Sequence, residues 1–314
     1  MGNCCNQELK ERDANFSGAS SYQIQSETSA ESKEHRPHES IASRSSDMTP
    51  LNALVKKVED SIRPFDYDSK ISGMFSELPV LGPYRYQNGS SYLGQYQNGK
   101  RHGRGTQVWA DGSVYDGYWQ DDMASISGRM IHAEGDIYEG EWQNDKAEGK
   151  GRYIHADGTI YSGQWSNDLQ EGIGQEEWPD GSIYEGGYKN SFKHGKGSFK
   201  WADGSNFLGE FRENDIDGHG VYCWSDGRRF EGGWKRNKIH GSGVFTWKDG
   251  RRYEGEYLND KKCGRGVFTW PDGKKYDGQW VNGKQEGEGV MTDKGVSRKG
   301  IWKDGERVKW TEEE

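Results

Sequence analysis

The chain has 314 residues, 46 of them glycine and 13 tryptophan, with a net charge of −9 and a mean hydropathy of −1.12. The acidic balance argues against a nucleic-acid partner, and four cysteines are too few for a disulfide framework. The sequence has no apolar run long enough to span a bilayer and no secretory signal peptide.

The chain opens Met1-Gly2-Asn3-Cys4-Cys5, which resembles the start of dually acylated proteins. In that pattern Gly2 takes myristate and Cys4 or Cys5 takes palmitate. Position 6 is Ser or Thr in the pattern and Asn6 here. One myristoyl chain binds a membrane only marginally, with an association constant on the order of 10⁴ M⁻¹, so a second chain is needed for stable anchoring. Lys10 and Arg12 are opposed by Glu8, Glu11 and Asp13, so the anchor would rest on acyl chains rather than charge. The alternative is a chance Met-Gly start with two inert thiols. Residues 6–48 are rich in Ser, Glu, Gln and Asn, too polar to offset chain entropy by burial, and we read 1–48 as a disordered tether.

Residues 49–80 read as a short helix and linker. Thr49 is the expected N-cap with Pro50 at the first helical position. Leu51, Leu54, Val55, Val58 and Ile62 fall on one helical face, and Pro64 stops the helix. We read this helix as a cap over the first repeat, the alternative being a helix for a partner or a membrane surface.

From Tyr92 a 23-residue unit runs nine times: Tyr92, Tyr115, Tyr138, Tyr161, Tyr184, Phe207, Phe230, Tyr253 and Tyr276. Each unit reads Tyr-x-Gly-x-Trp, a polar loop, Gly-x-Gly, then Asp-Gly, as in Tyr138-Glu-Gly-Glu-Trp142, Gly149-Lys-Gly151 and Asp157-Gly158. Alternation in Tyr138–Trp142 has the period of a strand with one apolar face. Gly151–His155 supplies a second short strand, and residues 143–148 the loop between them. Asp157-Gly158 is expected to form a two-residue turn into the next unit. The fold class is therefore all-β: an elongated, twisted antiparallel meander of 23-residue hairpins over residues 84–310, with partial units at both ends. Aromatic residues at the fifth position (Trp119, Trp142, Trp165) and the eighteenth (Trp201, Trp224, Trp247) are expected to stack as ladders along one face, rings lying over bare glycine. In the second unit Ile126 replaces the first glycine of Gly-x-Gly, and the last unit is one residue short.

This pattern at this period resembles the MORN repeat (membrane occupation and recognition nexus) over residues 84–305. The resemblance implies a curved antiparallel sheet and a tethering role at membrane junctions, the cytoskeleton or axonemes, or beside a phosphoinositide kinase. Direct phospholipid binding and protein binding are both implied.

Charge is uneven along the array. Residues 81–227 carry 13 Lys and Arg against 23 Asp and Glu, a net of −10, whereas residues 228–314 carry 20 against 15, a net of +5. The excess includes doublets in register, Arg228-Arg229, Arg251-Arg252 and Lys274-Lys275, whose members point to opposite faces, and a column Lys238, Lys261 and Lys284. These nine are the candidate site for an acidic partner: phosphoinositide headgroups, a tubulin-like surface or the acidic end of another copy. The alternative is a solvated face balanced by Glu231, Glu254 and Asp277. His102, His194 and His240 recur with the repeat, Cys223 and Cys263 read as packing residues, and no catalytic, cofactor or metal motif is apparent. The expected function is a non-enzymatic scaffold, anchored to the cytoplasmic face of a plasma or ciliary membrane by acylation. A cytoskeletal or axonemal structural protein and a regulatory subunit of a separate phosphoinositide kinase are the alternatives, and sheet edges allow a homodimer.

Overall fold

The computed structural model describes residues 48–311. They form two compact units: residues 48–179 with 188–191, here the N-terminal unit, and residues 180–187 with 192–311, the C-terminal unit. Helices α1 (Ala53–Ser61) and α2 (Ser69–Met74) precede 21 strands running from Val80 to Trp310. Within each unit consecutive strands pair antiparallel, so both are meanders of hairpins.

One repeat shows the construction. Strand Ile137–Gln143 turns through Asn144 and Asp145 into strand Lys146–Ile154. Asn144 and Asp145 both have positive φ, 52° and 64°. This is the two-residue hairpin turn, and it corrects the expectation that placed it at Asp157-Gly158. Asp157-Gly158 lies instead in a wider turn. There His155 N–H donates to Thr159 O at 2.8 Å, Gly158 N–H donates to His155 O at 2.9 Å, and Thr159 N–H donates to Asp157 Oδ1 at 2.8 Å. The second strand is correspondingly longer than Gly151–His155, and it begins within the expected loop.

Gly-x-Gly sits inside that strand. Gly149 takes φ 65° at a break in register between the Gly140↔Gly151 and Trp142↔Ala147 pairs. Ile126 holds the equivalent place in the second repeat at φ 68°. The broken ladder leaves a backbone N–H, which the side chain at the fourth position accepts. Ile173 N–H donates to Gln164 Oε1 at 2.8 Å, and Arg265 N–H to Glu256 Oε1 at 3.2 Å. Gly140 and Gly151 face each other under the Tyr138 ring. A Cβ on Gly151 would lie 2.4 Å from the Tyr138 hydroxyl, and one on Gly140 2.5 Å from the Gly151 Cα. The hydroxyl donates to Glu141 O at 2.9 Å, and Trp142 Nε1–H donates to Gly128 O in the preceding repeat at 3.1 Å.

Neighbouring hairpins are stitched at the two-residue turns. Asp145 Oδ1 accepts from Ala124 N–H at 2.7 Å while Asp145 N–H donates to Ala124 O at 3.0 Å, and Asn237 makes the same pair with Ile216.

Tyr138 is fully buried and Trp142 nearly so. First- and fifth-position rings alternate edge to face. Tyr115–Trp142, Trp142–Tyr138 and Tyr138–Trp165 are 5.2, 5.1 and 5.2 Å apart in the N-terminal unit, and Phe230–Tyr257, Tyr257–Tyr253 and Tyr253–Trp280 are 5.4, 5.2 and 5.1 Å apart in the C-terminal unit. The eighteenth-position tryptophans form a second ladder, interleaved with rings at the sixteenth position that the repeat pattern did not single out. Phe199–Trp201, Trp201–Tyr222 and Tyr222–Trp224 are 4.5, 5.0 and 4.4 Å apart. Within each unit these rings occupy one face of the sheet, the ring face.

The ends follow the expected partial units. Tyr86 N–H donates to Ser90 O at 2.8 Å, repeating the wide turn. The missing residue in the last unit tightens its turn to Lys294-Gly295, with Asp293 paired to Val296.

Helix α1 is capped by Asn52, whose side chain accepts from Val55 N–H at 2.8 Å, and not by Thr49. Thr49 is drawn off to the sheet: its N–H donates to Ser91 Oγ at 2.7 Å and its hydroxyl to Gly89 O at 2.6 Å. The helix ends at Ser61 rather than running to Pro64. Its apolar face meets Val108, Val114, Ile131 and Ile137, so it lies over the first two repeats.

Candidate functional site

The ring face leaves little to offer a ligand, because its aromatic groups are committed to one another. Lys262 shows how closed it is: the ammonium lies 4.8–5.1 Å from the ring centres of Trp247, Tyr253, Phe268 and Trp280.

The opposite, outer face carries the second- and fourth-position side chains. In the N-terminal unit it is occupied by the chain itself. Beyond α1, residues 63–78 run over the first repeats. Arg129 Nη1–H donates to Arg63 O at 2.6 Å, Tyr118 O–H to Asp68 O at 2.9 Å, and Gln95 Nε2–H to Phe75 O at 2.7 Å. The Tyr67 hydroxyl donates to Asp116, and its ring meets Tyr118 edge to face at 5.2 Å. Burial pushes the Asp116 carboxyl up against the opposing pull of the Tyr67 and Thr106 hydrogen bonds, and pushes the Tyr67 phenol up as well. Tyr118 holds the fourth position, where the other repeats place Glu, Gln or Gly. This departure was the available sign that something covers this face, and reading for the consensus passes over it.

The six doublet cations separate to the two faces as their alternation implied. Arg228 and Arg251 lie on the ring side, each guanidinium 5.3 Å from the ring centre of Trp224 or Trp247, and each bonded at 2.7 Å to Asp226 or Asp249. Lys274 lies 3.9 Å from Asp293. Arg229 and Arg252 lie on the outer face, bonded at 2.7 Å to Glu231 and Glu254, with Lys275 exposed beside Asp277. The Arg229 hydrogen bond and charge hold the Glu231 carboxyl below its ordinary range, and Asp249 is held down first by the Arg251 backbone N–H.

Lys238, Lys261 and Lys284 do not join them. Lys238 pairs with Lys235 at one end of strand Lys238–Thr246, whereas Arg229 pairs with Thr246 at the other. Eight residues separate these ends, about 27 Å at strand rise. The structure thus divides the nine candidates among a ring-side row, an outer row and a distant lysine row.

In the N-terminal unit His132 and His155 stand at eighteenth positions in place of Trp, and a polar group joins the second ladder there. Asp136 accepts from Tyr153 O–H and Ala156 N–H, both at 2.8 Å, with His155 Nδ1 3.6 Å away. Burial pushes the Asp136 carboxyl up, but these partners outweigh it and hold it at about 2. Among the described residues no group of three or more His, Cys, Asp or Glu is placed to hold a metal ion, and no helix is long and apolar enough to cross a membrane. Gly2, Cys4 and Cys5 lie outside the described residues.

Comparison with known proteins agrees with this architecture. The family model of the MORN repeat matches residues 92–114, 138–160, 161–183, 184–206, 207–228, 230–251, 253–275 and 276–294. The repeat containing Ile126 is outside these spans. Comparison with curated proteins finds no match. Among solved structures the chain is loosely similar to the TCP10 domain of Danio rerio CPAP in complex with a peptide of Danio rerio STIL, at 12% identity, 73% of this chain and 98% of that chain, TM-score 0.38. The TCP10 domain of Danio rerio CPAP without the peptide gives 14% identity over 66% and 99%, TM-score 0.37. The SAS-4 TCP domain of Drosophila melanogaster, in complex with a proline-rich motif of Ana2, gives 12% over 68% and 94%, TM-score 0.28. With eight matched spans covering more than half its length, the chain belongs to the MORN-repeat family.

Proposed function

We propose that the protein is a non-catalytic scaffold that docks protein segments on its outer sheet face while acyl groups on Gly2 and Cys4 or Cys5 hold it at a membrane. The observation that supports docking is the chain's own residues 48–78. They form a helix, an extended stretch and a short second helix laid on this face, held by apolar contacts and by hydrogen bonds from Arg129, Tyr118 and Gln95. A surface that accepts such a segment in one unit offers the same backbone geometry in the other, where no described segment lies over it.

Docking is tested by placing a photo-crosslinking amino acid at Val244, on the outer face, or at Lys248, in a wide turn. Protein adducts from position 244 and few from 248 are expected; the absence of adducts at both removes the scaffold reading. The anchor is tested by fractionating wild type, Gly2→Ala and Cys4→Ser/Cys5→Ser. Wild type is expected to pellet with membranes and dissolve in detergent, and both variants to become soluble. Retention of all three in a detergent-insoluble pellet would replace the acyl anchor with attachment to the cytoskeleton.

A further inference from the structure

The outer face has a marginal row, made by the first strand residue after each wide turn and the strand residue paired with it, whose chemistry changes from repeat to repeat. In the N-terminal unit this row is Val108, Val114, Ile131, Ile137 and Ile154, and α1 packs on it. In the C-terminal unit the same repeat positions hold Ile183, Lys200, Asn206 and Cys223 and then Arg229, Thr246, Arg252, Thr269, Lys275 and Thr292, the last six consecutive across the strands. The adjoining row alternates half-buried Val244, Val267 and Val290 with Glu231, Glu254 and Asp277.

We infer that the Arg229–Lys275 row seats an acidic amphipathic helix of a partner protein, laid across the strands as α1 is laid across the N-terminal unit. The inference rests on the scaffold reading and names the partner's chemistry. Each hairpin advances the sheet by two strand spacings, roughly 9.6 Å, and seven residues of α-helix rise about 10.5 Å. Carboxylates at i, i+7 and i+14 of such a helix therefore meet Arg229, Arg252 and Lys275 in turn, and apolar residues three or four positions on meet the valines. Helix α1 shows the arrangement: Val55 and Val58 on it, and Ile62 just past its end, pack against the apolar row. The pairs Arg229–Glu231 and Arg252–Glu254 are exposed, so exchanging their carboxylates for a partner's costs little.

A flat anionic membrane fits this face less well. Pressing it onto the arginines brings its charge onto Glu231, Glu254 and Asp277 in the next row. A helix sets its acids over one row and its apolar side over the other.

The test uses the full chain and a fluorescent synthetic helix of about 21 residues, three heptads, with Glu at one heptad position, Leu at the neighbouring apolar ones, and a Lys-for-Glu counterpart. The acidic peptide is expected to bind and the basic one not. Arg229→Glu/Arg252→Glu, checked for folding by thermal melting, is expected to weaken the acidic peptide roughly tenfold or more and to gain the basic peptide. Should that pair disturb the sheet, exposed Lys275→Glu is expected to act in the same direction with a smaller loss. No binding of the acidic peptide, or binding indifferent to these reversals, overturns the inference. So does binding of phosphatidylserine vesicles that the reversals abolish while the peptide fails. Adducts at position 244 alongside any of these failures would leave the docking face standing without the acidic helix.

Discussion

Tyr138 lies across the backbone of Gly140 and Gly151, and this contact sets the strictest demand on single residues. Gly151→Ala would drive a methyl into the ring, an overpacking expected to cost about 1–3 kcal/mol, whereas Tyr138→Phe loses only the bond to Glu141 O, about 1 kcal/mol. Phe207 and Phe230 already stand at that position. Denaturant midpoints of the two variants check the order. The Tyr-x-Gly-x-Trp spacing made this contact legible in the sequence. The stitching residues were not, because Asp145, Asp168, Asn214, Asn237 and Asp260 share an acceptor oxygen and not an identity. Burial raises the carboxyls of Asp145, Asp168 and Asp260. A carboxyl raised in the folded state binds its proton more tightly there than in the unfolded chain. Its favourable contribution is therefore full below the ordinary value of about 3.9 and is lost as pH rises through the raised one. Asp145→Asn and Asp260→Asn keep the oxygen without the charge and are expected to raise the melting temperature at pH 7, the gain shrinking toward pH 4. Asp136 has the opposite sign: its contribution is present above about 3.9 and is lost as pH falls through its folded value of about 2. Asp136→Asn is expected to lower the melting temperature at pH 7 and to lose that deficit toward pH 2.

At the level of elements, sequence statistics and structure part company where two segments compete for one hydrogen-bonding group. Asp-Gly is a strong hairpin signal, yet within the complete repeats the tight turns are pairs such as Asn-Asp, Arg-Asn and Asn-Ser, while Asp-Gly closes the wider turn with only its glycine left-handed; near the C-terminal end Asp304-Gly305 does make the two-residue turn. Likewise Thr49-Pro50 reads as a helix start, but Thr49 bonds to Ser91 and Gly89, and Asn52 takes over. Nothing local to residues 49–62 announces that. The apolar spacing of Val55 and Val58 was legible and marks the buried side of α1, because it follows from helix geometry alone; Ile62, just past the helix end, packs on the same row. Val55 is fully buried, so its burial contributes about 1.5–3 kcal/mol. Val55→Asp is expected to release α1, seen as loss of hydrogen-exchange protection over residues 53–61 and a lower transition for the N-terminal unit. Strands of the C-terminal unit should exchange as before, since each repeat contacts only its neighbours.

On the scale of the whole chain, the period itself governs tolerance to change. Removing residues 230–252, one full unit, rejoins Arg229 to Tyr253 in the register that Phe230 held, so every cross-strand pair has an equivalent. This deletion is expected to stay folded and to melt cooperatively a few degrees lower, whereas a deletion of half that length should abolish the transition. Calorimetry distinguishes the two. The period was legible from one column of aromatic residues. Where the outer face is covered was not, because that depends on a departure such as Tyr118, which looks like noise against the repeat until residues 63–78 are seen lying on it.

The alternating rings also form an optical path. In the C-terminal unit Trp234, Tyr257, Trp280 and Trp302 are linked through intervening rings at centre distances of 4.9–5.5 Å, each roughly perpendicular to the next. Excitation absorbed by one indole can pass down such a series before it is emitted. Tyrosine emission should be almost silent, polarisation of the tryptophan emission should be lost quickly, and the near-ultraviolet dichroism should carry coupled bands. Any helix that settles on the outer face and shifts a strand would then be reported by the protein's own light, without a label.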